Sequence, residues 1–376
     1  MQLLDFNQNR LLDASLDRLL DSLQDIVTNL QIQSNFCISH PDYKPLKLPD
    51  EVVSRFQRIP LELPNKYLSL QLRNFLYGIY YNGSMRTALA LDTNPVDLAL
   101  QQNLENNTFL GVDLEFYERL HESNNGEGYF DPGWYVLRQE SDGSLAVIKG
   151  GLTLHIERDS EEGADSFASR HLQLADQSAA IGDLVAIQMP RNLVQNGFYM
   201  AVSNAGSDTH PHTVRVYFNL SAEGAVAVMG AITRQLNQIS IPFTFKVLYN
   251  PSDYGRYDSG VLYFERSNYE AVWEMLQTVY AQNRSHFRME VPLFTKLLAP
   301  GLGLAEEPDC KFAAQESFGM NRCQIITNGL LEARATGEQS PQGRMNSICK
   351  HFSLLGIELK RPYLNANSED IYTPLN

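Results

Sequence analysis

Three short runs between residues 209 and 264 constrain this chain most, because each reads as a strand or a lead into one and each carries a cation. In VRVYFNL the apolar Val214, Val216, Phe218 and Leu220 take one face of an alternating strand, which leaves Arg215, Tyr217 and Asn219 on the other. FTFKVLY repeats the pattern, with Phe243, Phe245, Val247 and Tyr249 on one face and Thr244, Lys246 and Leu248 on the other. GRYDSGVLYF then brings Arg256, Tyr257 and Asp258 in a glycine-flanked turn that leads into a third strand. Polar faces that meet make an anion site, whereas polar faces that look into water are an ordinary solvated surface. Alternation alone is satisfied by either. Arg215 supplies a planar fork suited to phosphate or carboxylate oxygens, with Tyr217 and Asn219 as hydrogen-bonding neighbours. A Lys246 desolvated among Phe243, Phe245 and Tyr249 and close to two arginines would favour the neutral amine, a usable general base.

The runs sit in the second part of a two-part pattern. Leucines and other apolar residues from Leu12 to Leu30 recur with the 3.6-residue period of an amphipathic helix. Five prolines between residues 40 and 64 leave room for one short helix near residues 52–56. YLSLQLRNFLYGIYYNG resumes a helix and stops at Asn82-Gly83, and Asn94-Pro95 starts another. From Gly126 the texture changes: GWYVLRQ, SLAVIKG, LTLHIE and DLVAIQM read as antiparallel strands in hairpins, followed by YMAVSN. The helical stretch between VRVYFNL and FTFKVLY predicts a crossover unit. Ser267 with Glu270 reads as a capping box, and two further helices are expected over residues 310–334 and 343–355. The expected fold is therefore α+β. A helical region (residues 1–125) precedes a mixed, largely antiparallel sheet with flanking helices (residues 126–376).

Composition narrows the function. A 376-residue chain that is 43% hydrophobic and 20% charged is an ordinary globular protein, with no apolar run near the ~20 residues that span a bilayer. MQLLDFNQNRLLD has acidic and amide residues where a signal peptide needs an apolar core, so a cytoplasmic location is expected. A net charge of −14 argues against a nucleic-acid partner, whose phosphates call for a basic surface. No membrane partner is expected either. The four cysteines include no CxxC pair, and neither a structural zinc nor a disulfide framework is expected.

Other constellations are weaker. In VIKGGLTLHIE, a hairpin through the glycine pair would bring Lys149 and His155 face to face as an acid and base, although a histidine on a strand surface reads the same way. His210-Pro211-His212 offers two metal ligands without a third, which favours a proline-stiffened loop. Gly301 and Gly303 lack the strand and the GKS or GKT of a phosphate loop, and neither GxSxG nor HExxH occurs. Arg322 lies near a helix start, where free backbone amides already favour an anion.

Taken in order, LYGIYYNG, RVYFNL, PFTFKVLYN, YGRYDSGVLYF, EVPLFTKLLAPGLGLAEEP and ESFGMNRCQ resemble the HopA effector family, from residue 70 to the carboxyl terminus. That family also occurs in bacteria without type III secretion, in gene clusters for lanthipeptide-type modified peptides. There it accompanies a kinase resembling aminoglycoside phosphotransferases. The resemblance implies a lyase that removes phosphate from phosphoserine or phosphothreonine by β-elimination, without metal or cofactor, leaving a dehydroamino acid. It implies Arg215, Arg256 and Arg322 as phosphate holders, Lys246 as base or phosphate ligand, and Tyr217 as acid, with His155 or His212 as alternatives for the acid. Asn219, Tyr257, Asp258 and Lys149 would support them. Phosphothreonine lyases carry a close Lys-x-His pair; this chain has Arg215-Val216-Tyr217. A protein that only binds a phosphopeptide or the kinase through the same pocket is the alternative.

Overall fold

A computed structural model describes residues 2–33, 36–56, 58–60, 62–92, 112–157, 174–175, 178–206 and 212–375. The helix expected to start at Asn94-Pro95 lies outside these residues, as do His210 and Pro211.

The chain opens with α1 (Gln2–Asn29), a small antiparallel sheet of β1 (Gln31–Ile32), β2 (Ile38–His40) and β3 (Tyr43–Leu46), and the short α2 (Asp50–Phe56). α3 (Glu62–Leu76) runs into a π-helical turn, Tyr77–Tyr81, that ends at Asn82 with Gly83 at φ 75°. α4 (Leu114–Ser123) follows. The helical period written in the sequence is the one buried: Leu19, Leu23, Ile26, Val27 and Leu30 are covered along the first helix and its end, and Leu68, Leu72, Phe75 and Leu76 in α3.

Four strands, β4 (Tyr129–Gln139), β5 (Leu145–Lys149), β6 (Leu152–Ile156) and β7 (Leu184–Met189), form an antiparallel sheet in the order β6-β5-β4-β7. It closes over its own small core of Trp134, Val136, Leu145, Val147, Ile156 and neighbours. The alternate residues Tyr135 and Leu137 remain exposed.

The larger sheet has seven strands: β8 (Asn192–Gln195), β9 (Phe198–Val202), β10 (Thr213–Phe218), β11 (Phe243–Leu248), β12 (Gly260–Glu265), β13 (Lys296–Ala299) and β14 (Leu302–Glu306). Their order is β13-β14-β10-β12-β11-β9-β8, and every pairing is antiparallel. The expected crossover is present as β10, α5 (Ala222–Gln238) and β11, but β12 slots between the two strands, which makes it a split unit. The face bearing Val214, Val216, Phe218, Phe243, Phe245 and Val247 is sealed, each of these side chains being wholly buried. Burying one such side chain is worth about 1.5–3 kcal/mol. α5 packs against β11 and against α6 (Tyr269–Asn283). α6 begins after a 3-10 turn with Asn268 as its first cap and no side-chain capping bond, so the expected Ser267 box does not form.

α7 (Phe318–Thr336) and α8 (Pro341–Leu354) pack together, α3 lies on α7, and α1 on α8. The π-turn and the start of α7 meet the opposite face of the seven-stranded sheet: Tyr81 and Phe318 both contact the Tyr217 ring. This antiparallel sheet with helices on both faces is the expected α+β class. No described helix is long and apolar enough to cross a membrane.

Candidate functional site

Strand register explains why residues so far apart in sequence meet. β12 lies between β10 and β11 and opposes Tyr217 and Lys246 with the same residue, Val261, so Tyr217, Val261 and Lys246 form one row. Arg215, Tyr263 and Thr244 form the next row on the same face. The Arg215 guanidinium lies 5.0 Å from the Tyr263 ring centre, and the Lys246 amine 5.5 Å from the same ring. Lys246 is also 4.4 Å from the Phe198 ring, over which Arg256 sits at 5.8 Å. Cations and rings thus alternate in the series Arg215, Tyr263, Lys246, Phe198, Arg256, each contact of cation–π type.

These residues line one small pocket with Tyr77, Tyr81, Tyr217, Asp258 and Ser317, and about 20 Å³ is open at its centre. That is room for about one water. Size alone favours a cleft of about 920 Å³ beside residues 188–192, but there Arg191 stands against Glu118 and Glu127. Among the described residues, the three strand and turn cations gather at the smaller pocket.

Each arginine has a carboxylate partner. Arg256 donates through Nε and Nη2 to the two oxygens of Asp258 at 2.5 and 2.9 Å, a bidentate pair that is 3% and 4% exposed. Asp258 also accepts from Asn82 Nδ2 and, at 3.4 Å, from the Tyr77 hydroxyl. Arg215 donates through Nε to Glu307, which Lys311 also contacts. Burial opposes the charge on Glu307, but Arg215 and Lys311 outweigh it and hold the carboxyl below the usual glutamate range. Burial likewise opposes the charge on Arg215; Tyr263, Tyr217 and Glu307 prevail, and the guanidinium keeps its proton more firmly than usual. Burial pushes the Tyr217 hydroxyl well up, against the pull of Arg215, so it stays protonated at neutral pH. That hydroxyl faces Tyr81 without a well-aligned hydrogen bond.

Lys246 differs from expectation. Phe243, Phe245 and Tyr249 belong to the other strand face and do not desolvate it, because side-chain period 2 carries them through the sheet. Its immediate surroundings are Phe198 and Tyr263, its amine donates to Gln195 Oε1 at 3.2 Å, and it is only partly buried.

Other expected site residues lie elsewhere. Arg322 is 1% exposed and spends its donors on Pro362 O, Leu364 O and Asn321 Oδ1, fastening the carboxyl-terminal segment to α7. Burial pulls it down to about 10. Lys149 pairs with Asp131 and His155 lies 3.5 Å from Glu140, both on the four-stranded sheet. The hairpin opposes Lys149 with Leu152 and His155 with Ala146, so the two do not face each other. Asn219 lies just past β10, donating to Glu290 O, and the Tyr257 ring centre lies 5.9 and 5.8 Å from the guanidinium groups of Arg18 and Arg86. His212 lines a separate cleft of about 670 Å³ with Arg266 and Trp273.

Sequence reasoning missed Phe198, Tyr263, Tyr77, Tyr81 and Ser317. One signal was available in ESFGMNR: Ser317 is the N-cap of α7, accepting from Met320 N, and it is this cap, not Arg322, that reaches the pocket. The glycine beside it has a reason too, since a Cβ on Gly319 would come within 2.3 Å of the Tyr81 ring.

Residues 189–364 match the HopA1 effector protein family. The resemblance carried by RVYFNL, PFTFKVLYN and ESFGMNRCQ is borne out over those residues. Two solved structures are similar to parts of the chain. An effector protein from Pseudomonas syringae pv. tomato strain DC3000 is 18% identical with a TM-score of 0.36, covering 45% of this chain and 63% of its own. An effector protein from Pseudomonas syringae pv. syringae strain 61 is 17% identical with a TM-score of 0.39, covering 69% of this chain and 84% of its own. No residue role follows from likenesses this distant. None of the curated proteins matches.

Proposed function

Taking residues 189–364 as a region of the HopA1 effector protein family, we propose that the protein is a phosphoserine or phosphothreonine lyase acting on a peptide. The observation that supports this most directly is the gathering of Arg215, Lys246 and Arg256 with Tyr217 on one pocket. The start of α7 reaches the same pocket through its N-cap, Ser317, and a helix start favours an anion. In this reading Arg215 and Arg256 hold the phosphate oxygens and stabilise the charge that grows as the phosphate leaves. Lys246 takes the Cα proton. The Cα–Cβ double bond forms as the Cβ–O bond breaks, the phosphate departs, and Tyr217 supplies its proton. The products are a dehydroamino acid and inorganic phosphate, and solvent restores the two protonation states. Arg322 and His155 take no part, since neither lines the pocket.

A second reading is favoured by one observation. An aromatic ring on either side of the Lys246 amine suits a cation, as in a protein that binds a phosphopeptide or a kinase partner without turnover. Mass spectrometry of phosphothreonine and phosphoserine peptides after incubation separates the two. Loss of a whole phosphoric acid unit, abolished in Lys246→Ala, is expected of the lyase. Retained mass with measurable phosphopeptide binding supports the second reading, and release of phosphate with a free hydroxyl left behind would overturn both.

A further inference from the structure

The edge of the large sheet offers the substrate a track to the pocket. Among the described residues β8 is the last strand of the order, paired only with β9. The ladder bond from Val202 N to Arg191 O fixes its phase: residues 191, 193 and 195 bond inward to β9, so the N–H and C=O groups of Asn192 and Val194 point outward. Leu193 and Gln195 stand on the pocket face, opposite Met200 and Phe198, and both are exposed. Gln195 is the residue that accepts from Lys246. At its other end the strand opens into the cleft of about 920 Å³ between Asn192, Met189 and the Tyr117 and His121 side of α4. One short edge strand therefore joins the cleft of about 920 Å³ to the amine of the pocket.

The geometry points to β8 as a docking strand for an extended stretch of the peptide substrate, added to the sheet by main-chain hydrogen bonds to Asn192 and Val194. This rests on the reading of the pocket as a phosphopeptide site. Alternate side chains of an added strand fall on opposite sides, one set beside Leu193 and Gln195, the other toward the cleft. The distance sets a spacing. An added strand lies three strand intervals from β11, about 14 Å at ~4.8 Å each, which an extended chain crosses in about four residues. The docked stretch thus flanks the modified residue by roughly four positions and does not include it. Recognition through the main chain tolerates many sequences, which suits an enzyme that meets a phosphorylated residue in varied contexts.

The test uses the full chain and a fluorescent phosphothreonine peptide of about twelve residues, long enough to reach from the pocket across β8. Trimming it to about three residues around the phosphothreonine is expected to weaken binding tenfold or more. N-methylation of its amides one at a time, read by anisotropy, is expected to cost roughly threefold to tenfold at every second position of the flanking stretch and little between them. Val194→Pro removes an outward donor while sparing the β9 ladder, and should cost the long peptide its advantage while leaving turnover of the short one unchanged. A flat N-methyl profile, no effect of length, or no peptide binding overturns the proposal. Periodic binding without elimination would sink the lyase reading and leave the track standing. Elimination with a flat profile would do the reverse.

Discussion

The two sheets bear the same kind of sequence and meet different fates. In both, cations alternate with apolar residues along short strands. Lys149 and His155 on the four-stranded sheet pair with Asp131 and Glu140 at the surface, and their side chains are 40% and 54% exposed. On the seven-stranded sheet Arg215 is nearly buried and Tyr217 lies against the π-turn and the start of α7, while Lys246 stands partly buried in the same pocket, among aromatic rings and near the buried Arg256–Asp258 pair. The difference is not in the strands but in what covers them. Alternation specifies which residues share a face; whether that face is wet depends on helices written elsewhere in the chain.

The comparison can be broken by removing one partner on each side. Arg256→Ala strands Asp258 in a buried site, and urea unfolding should show a loss of about 3–5 kcal/mol, since an uncompensated buried charge is costly. If the loss is instead below about 1 kcal/mol, the pair is wet and the covered face is not the dry one described.

A smaller effect sharpens the electrostatic half. The carboxyl of Glu307 is held below its ordinary value, so the Arg215 pair contributes stability above the unfolded value of about 4.3 and loses it as pH falls through the lower folded value. The stability difference between the wild type and Glu307→Gln should therefore persist at about pH 6 and shrink toward about pH 3. A difference that is flat over that range would remove Glu307 from the network.

The smallest effect belongs to the open sheet. Lys149→Ala should change stability by less than about 1 kcal/mol, because Lys149 and Asp131 form a partly exposed pair that water can replace.

How much of this was readable from the residues follows the same division. The alternation of VRVYFNL and FTFKVLY placed Arg215 with Tyr217 and gave the face of Lys246 correctly, since period 2 is local. It could not reveal that β12 would slide between those strands, and it is that insertion which brings Tyr263 under both cations. Asn219 fell off the pattern because the strand stops at Phe218. Arg322 misled for a different reason: a helix start attracts anions, but the arginine there answers three oxygens of its own chain. Contacts across more than a hundred residues, such as Asn82 with Asp258, leave no periodic trace.

The placement of the two tryptophans has a practical consequence. Trp134 is sealed in the small core of the four-stranded sheet, while Trp273 lies on α6 and donates from its indole to Thr373 O in the carboxyl-terminal segment. The chain thus carries one intrinsic emitter in each region contrasted above. Trp134→Phe and Trp273→Phe turn it into two single-colour instruments, from which the melting of the open sheet and the release of the tail can be timed separately.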